Sequence, residues 1–157
     1  MLKKLLFASS ISLSSFIALA GSIEGRVVNV LDGDTVQVLV QGNTTYRVRL
    51  SGIDAPEKDQ PWGQQSKKYL IKAVASKTVS VTGDAHDKYG RLLGTLWLNG
   101  TDINASMVAA GYAWAYRYKG YATVPEYVAL EIAARNNSVG LWQDKEPVEP
   151  FHWRNSH

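Results

Sequence analysis

The chain has 157 residues, 17 of them Lys or Arg against 14 Asp or Glu, with three His and no Cys. The lack of cysteine excludes a disulfide framework and any thiol chemistry. A formal charge of only +3 excludes a uniformly basic, histone-like surface, so contact with a polyanion has to come from local placement of Arg and Lys.

The first twenty residues read as a signal peptide. Lys3 and Lys4 precede an uncharged run from Leu5 to Leu19, and Ala18-Leu19-Ala20 before Gly21 fits an A-x-A cleavage site. The alternative, an uncleaved anchor from Leu5 to Ile23, is diluted by serines and barely long enough to span a bilayer. Cleavage leaves residues 21–157, the usual size of one domain, and brings the charge close to neutral.

Glu24 to Val30 alternates around Val28 and Val30, Asp32-Gly33-Asp34 supplies a turn, and Thr35 to Val40 alternates again. After a Gln41-Gly42-Asn43 turn, Thr44 to Leu50 forms a third strand, with Tyr46, Val48 and Leu50 on one face and Arg47 and Arg49 on the other. Pro56 and Pro61 bracket a polar loop, and Gly63 to Ala75 has helical spacing of Tyr69, Leu70, Ala73 and Val74. Thr78 to Thr82 and Leu92 to Leu98 are two further strands around a charged loop. Asp102 caps a helix through Ala110 with Gly111 at C′, and a third helix runs from about Pro125 to Asn136. The tail, 146–157, is polar and proline-punctuated and is expected to be loose, leaving 21–145 as the folded domain. The predicted class is α+β, mainly β: a five-stranded Greek-key barrel of OB type with three α-helices.

Three clusters carry chemistry: Asp32-Gly33-Asp34-Thr35, Arg49 to Glu57, and Asp87-Lys88-Tyr89-Gly90-Arg91. Asp34 follows the first turn and Asp54 lies just past the third strand, so an antiparallel sheet can bring both carboxylates to one rim. Their mutual repulsion would be relieved by a divalent cation, and oxygen ligands favour Ca²⁺ or Mg²⁺ over Zn²⁺. Taken singly, Asp32-Gly33-Asp34 reads more readily as a plain turn. Glu57 can take a proton from a water or orient it, and Arg49 and Arg91 can clamp a phosphate; surface salt bridging is the bland reading of each. Tyr116 and Tyr118 flank Arg117, an arrangement suited to stacking a base, while the alternation of Tyr112, Trp114, Tyr116 and Tyr118 suits packing as well. His86, His152 and His157 are too scattered for a zinc set, and no Ser-His-Asp arrangement or phosphate-cradling glycine loop is present.

On these motifs, and on Gly140-Leu141-Trp142, the chain from Gly25 to Trp142 resembles the staphylococcal nuclease (thermonuclease, micrococcal-nuclease-like) family. The resemblance implies an exported endonuclease that uses Ca²⁺ to hydrolyse DNA and RNA at the bond to the 5′ oxygen, leaving 3′-phosphate ends. It also implies roles. Asp34 and Asp54 match carboxylate metal ligands, Ala55 a backbone-carbonyl ligand, Glu57 the general base or water-orienting carboxylate, and Arg49 and Arg91 the phosphate-binding arginines. Lys88, Tyr89, Tyr116 and Tyr118 match nucleotide-contacting positions. Two departures stand out: Ala55 replaces a hydroxyl-bearing residue, and the loop from Lys58 to Trp62 is short. The expected protein is a monomer, secreted or periplasmic, with DNA and RNA as partners and no stable membrane association once the leader is cleaved. The rival is a noncatalytic nucleic-acid-binding OB module, which loss of a catalytic position would favour; none is missing.

Overall fold

The computed structural model describes residues 21–157, and the expected leader lies outside the described residues. Strand β1 (Ser22–Asp32) turns through Gly33-Asp34 into β2 (Thr35–Val40), which turns again into β3 (Thr44–Leu50). A two-residue strand β4 (Ile53–Asp54) and helix α1 (Gly63–Val74) precede β5 (Thr78–Thr82) and β6 (Leu92–Leu98). Short strand β7 (Thr101–Asp102) leads into α2 (Ile103–Ala109). Three two-residue strands follow, β8 (Trp114–Ala115), β9 (Arg117–Tyr118) and β10 (Tyr121–Ala122). Helix α3 (Glu126–Asn136), a 3₁₀ turn (Gly140–Gln143) and α4 (Pro150–Ser156) complete the chain.

The main sheet runs β3-β2-β1-β5-β6-β7, and a parallel pairing of β3 with β6 closes it into a five-stranded barrel. Closure removes the open edges that a sheet of this length would otherwise expose. Valines at alternate positions of β2 and β3 point inward: Val36, Val38 and Val48 are fully buried, as are Leu50, Val81 and Leu96. Leu70 and Val74 of α1 and Met107 and Val108 of α2 join the same core. The sequence thus produces the predicted barrel through period-2 burial, with helices placed where 3.6-residue spacing puts them.

Residues 146–157, expected to be a loose tail, carry a fourth helix. Pro150 takes the first-turn position that its fixed φ favours, and it is buried; upstream, Gln60 Nε2 donates to the Val148 carbonyl at 2.6 Å. The polarity of the segment hid these anchors. The stretch around Tyr112 to Tyr118 is likewise no single strand: β8 pairs with β4 and β9 with β10.

Two buried polar residues fix the barrel end. Asn104 accepts from the Leu96 amide and donates to the Ser51 and Gly94 carbonyls at 2.9 and 3.1 Å, so α2 holds the turn after β3 against β6. Glu131 of α3 accepts from the Ala115 amide at 2.7 Å and from Arg117 and Arg135. Gly52 (φ +76°) completes that turn. A Cβ there would stand 2.5 Å from Val124 Cγ2 and 2.9 Å from Tyr127 Cε2, so only glycine lets the chain reverse toward Asp54 beneath α3.

Asn104→Ala should lower unfolding free energy by about 2–4 kcal/mol, because the buried Leu96 amide and the Ser51 carbonyl lose the side chain that pairs them and the Gly94 carbonyl keeps only the Ser51 amide. Denaturant titration checks this; a loss below the scatter of an ordinary surface substitution would mean that water replaces the side chain.

Candidate active site

A cavity of about 710 Å³ opens where the β1–β2 turn, the end of β3, β4 and the loop before β6 meet. Its walls include Asp32, Asp34, Arg49, Asp54, Ala55, Glu57, Lys88, Tyr89, Arg91, Tyr116 and Arg154. All but one of the sequence-predicted site residues are therefore brought together. The exception, Tyr118, stands 61 % exposed on the β9–β10 hairpin, directly across from Tyr121, with Lys119 Nζ over its ring.

Each acid is held by its local fold. Asp34 is placed by the turn, where its own amide donates to Asp32 Oδ1 at 3.0 Å, and its carbonyl accepts from Leu50 N–H. Its Oδ2 accepts from the Ala55 amide at 2.8 Å. The turn can approach so closely because residue 33 is glycine: a Cβ there would overlap Ser66 Oγ of α1 and lie 2.8 Å from the Ala55 Cβ. Asp54 sits on β4, paired with Trp114, and its side chain is 3 % exposed. Glu57 follows Pro56, and the short loop after it folds tightly: Gln60 Oε1 accepts from the Glu57 amide and the Glu57 carbonyl accepts from Gln60 N–H.

Arg49 lies between the acids. Its Nη2 is 3.2 Å from Asp34 Oδ2 and 3.3 Å from Asp54 Oδ1, while Nη1 donates to the Leu50 and Ile53 carbonyls at 2.6 and 2.9 Å. In this arrangement both terminal nitrogens are engaged by the protein, and its charge serves the carboxylates. Arg91 differs. Asp87 Oδ2 accepts from its Nε at 2.7 Å, Asp87 Oδ1 accepts from the Tyr89 and Arg91 amides, and among the described residues neither Nη has a hydrogen-bond partner. That leaves a planar fork for an anion, braced from behind.

The electrostatics favour added positive charge. Burial, reinforced by the neighbouring Asp34 charge, pushes the Asp32 carboxyl up to about 7. Burial also raises Asp54, against the pull of Arg154 and Arg49. Crowded, desolvated carboxylates disfavour ionisation unless a cation neutralises them. The donors are all hard oxygens, the chemistry of a Ca²⁺ or Mg²⁺ site rather than a zinc site. Among the described residues no three acidic or histidine side chains are already gathered at ligating geometry; guanidinium groups occupy the carboxylates instead. The residues thus fit a hard divalent cation in kind, at Asp34, Asp54 and the adjoining main chain.

Three contributors have no role in the sequence reading. Asp32 and Asp87 lie within its clusters without one: Asp32 joins the buried acids, and Asp87 shapes its loop and steers Arg91. Arg154 reaches in from α4: its Nη1 and Nη2 donate to Asp54 Oδ1 and Oδ2 at 3.0 and 2.9 Å, and Nη1 donates to Glu57 Oε1 at 2.8 Å. The sequence signal for it was present in Pro150-Phe151-His152-Trp153-Arg154, a proline start with large aromatics in an otherwise polar tail.

Comparison with known proteins places this geometry in context. Residues 47–144 match the family described as "Staphylococcal nuclease homologue". The matched segment includes Arg49, Asp54, Glu57 and Arg91; Asp32 and Asp34 precede it and join the site through the fold. Among curated proteins, the chain is 45 % identical over 141 residues to "Protein ParB" of Escherichia coli, covering 84 % of this chain and 79 % of that one. It is 45 % identical over 141 residues to an "Uncharacterized endonuclease" of Escherichia coli O157:H7, covering 89 % and 90 %. To a "Micrococcal nuclease" of Shigella flexneri it is 42 % identical over 139 residues, covering 83 % and 79 %.

Asp87→Asn keeps the amide-accepting oxygen but removes the charge that orients Arg91. It should lower turnover on any phosphodiester substrate roughly tenfold with little change in cation affinity, a split that steady-state kinetics and calorimetry together resolve. Asp87 is itself held below the ordinary carboxylate range: burial opposes this, and hydrogen bonds from the Arg91 and Tyr89 amides and the Arg91 side chain overcome it. The brace is therefore complete above the ordinary Asp value and lost only as pH falls through the lowered one.

Proposed function

The chain belongs to the staphylococcal nuclease family, and we propose that within it this protein is an exported, Ca²⁺-dependent endonuclease that hydrolyses DNA and RNA with little sequence preference. The observation that carries this reading is the convergence of Asp34, Asp54, Glu57 and Arg91 on one cavity from the β1–β2 turn, β4, the following loop and the loop before β6. Names given to its relatives, endonuclease and micrococcal nuclease, point the same way. The rival, a noncatalytic binding module, finds no support in a missing catalytic group.

In the mechanism we infer, Asp34, Asp54 and the Ala55 carbonyl would hold Ca²⁺, which when bound would supply charge neutralisation at the reacting phosphate. Glu57, with its side chain 34 % exposed, is wet enough to meet a water and takes its proton as the water oxygen bonds to phosphorus. Arg91 donates its paired Nη groups to the phosphate oxygens, where charge grows as the bond forms. The bond from phosphorus to the 5′ oxygen breaks, that oxygen takes a proton from solvent and Glu57 gives its own back to solvent, so the products are a 3′-phosphate and a 5′-hydroxyl. Arg49 holds Asp34 and Asp54 at their spacing and lies at the edge of the same pocket. Lys88, Tyr89 and Tyr116 line the walls where a nucleotide would lie, and exposed Tyr118 offers a stacking face further out. Export rests on the Leu5–Leu19 run and the Ala18-Leu19-Ala20 site, and recovery of a mature N-terminus at Gly21 from the periplasm or medium would establish it.

Plasmid and RNA cleavage across a metal series, with analysis of product ends, tests the reading. Chelator should abolish cleavage, Ca²⁺ should restore it, and 3′-phosphates should appear. Undiminished cleavage in chelator would overturn the cation assignment, and oligonucleotide binding without shortening under Ca²⁺ would favour the binding module. Arg91→Lys should reduce turnover by roughly a hundred- to a thousandfold, since an ammonium cannot reproduce the fork. Glu57→Gln should depress turnover more than cation affinity; the reverse pattern would make Glu57 a metal ligand.

A further inference from the structure

Arg154 occupies the two carboxylates on which the proposed chemistry depends. Its guanidinium takes both oxygens of Asp54 at 2.9 and 3.0 Å and one oxygen of Glu57 at 2.8 Å, so it bridges a metal-ligand residue and the water's partner. Asp54 Oδ1 also lies 3.3 Å from Arg49, which brings two guanidinium groups to one nearly buried carboxylate. A divalent cation at Asp54 would stand within a few ångström of the Arg154 charge, and the two positive charges repel across a carboxylate that is itself nearly buried.

The element that delivers Arg154 is lightly held. In α4 only Pro150 is buried; Phe151 is 54 % exposed, Trp153 is half-buried, and the Arg154 side chain is 41 % exposed. Apart from the Gln60 bond to the Val148 carbonyl just before it, the strongest polar tie between this segment and the body is the Arg154 fork itself. A contact that is strong at its tip and weak along its length is displaceable as a unit. In the docked state it also takes up Glu57 Oε1, one of the two oxygens that could meet a water.

We propose that α4 is a cation-responsive latch: in the absence of metal Arg154 neutralises Asp54 and engages Glu57, and Ca²⁺ binding expels it and frees both carboxylates. The proposal rests on the nuclease reading above. By linkage, the latch must weaken Ca²⁺ binding by the same factor by which Ca²⁺ loosens the latch.

The test uses the full mature chain and its Arg154→Gln and Arg154→Lys variants, with Ca²⁺ affinity read by calorimetry and α4 docking read by amide hydrogen exchange over residues 150–156. Arg154→Gln should bind Ca²⁺ roughly tenfold or more tightly, the scale expected for removing one nearby unit charge from a partly shielded site. Arg154→Lys should fall between, keeping the charge but not the fork. In the unsubstituted protein Ca²⁺ should speed exchange across α4. Equal or weaker affinity in Arg154→Gln, or α4 exchange unmoved by saturating Ca²⁺, would overturn the latch and leave the nuclease reading standing. No heat of Ca²⁺ binding in any of the three proteins, together with cleavage that persists in chelator, would overturn the calcium reading and the latch with it.

Discussion

Asp34 and Asp54 lie against a single guanidinium, and much of the barrel's open end is arranged to keep them there. Arg49 reaches both acids through Nη2 at 3.2 and 3.3 Å and fastens itself to the main chain through Nη1. Without it Asp34 would lose its guanidinium partner while facing Asp54, a fault of about 3–5 kcal/mol for a broken buried pair. The support is extensive. Gly33 lets the first turn press against α1 and Ala55, Gly52 lets the chain reverse under α3, and Asn104 pins that reversal to β6. Each of these residues works on backbone position, and the summed result is a pair of acids held at one place.

A second frame stands behind the first. Glu131, almost fully buried, holds the Ala115 amide while Arg117 and Arg135 neutralise it, so α3 is tied to β8, the partner of Asp54's own strand. Arg135 extends over the rings of Trp114 and Trp142 at 4.8 and 4.0 Å, which pack edge to face on one another. Among the described residues both indole N–H groups are buried without a hydrogen-bond partner, while the guanidinium attracts the π faces of the same rings. The Gly140-Leu141-Trp142 motif thus belongs to packing: it holds the 3₁₀ turn against Trp114 of β8, the residue paired with Asp54.

The two arginines that sequence reading treated alike are placed differently. Arg49 is inside the acid cluster with both terminal nitrogens engaged, whereas Arg91 is braced by Asp87 with its terminal nitrogens available. Both sit next to acids in motifs of similar appearance. What separates them is setting: Arg49 comes from the end of β3, paired there with β2 and β6, and Arg91 from a loop that enters β6.

Much of the architecture was legible in the chain because it is governed by local periodicity. Val36, Val38 and Val48 alternate inward, α1 and α3 show 3.6-residue spacing, and Asp102 caps α2 by accepting from the Ala105 amide as its position suggested. The sequence by itself therefore determined the strands of the barrel, three of its helices and the residue types gathered at the site. The tertiary structure alone decided that Asp32 joins the acids, that Tyr118 stands outside the cavity, and that a polar tail folds back across about a hundred residues to set Arg154 on Asp54. Those outcomes depend on closure of β3 against β6 and on the seat that Gln60 and Pro150 give the last helix, contacts between segments whose own sequences carry no periodic trace of the partner they meet.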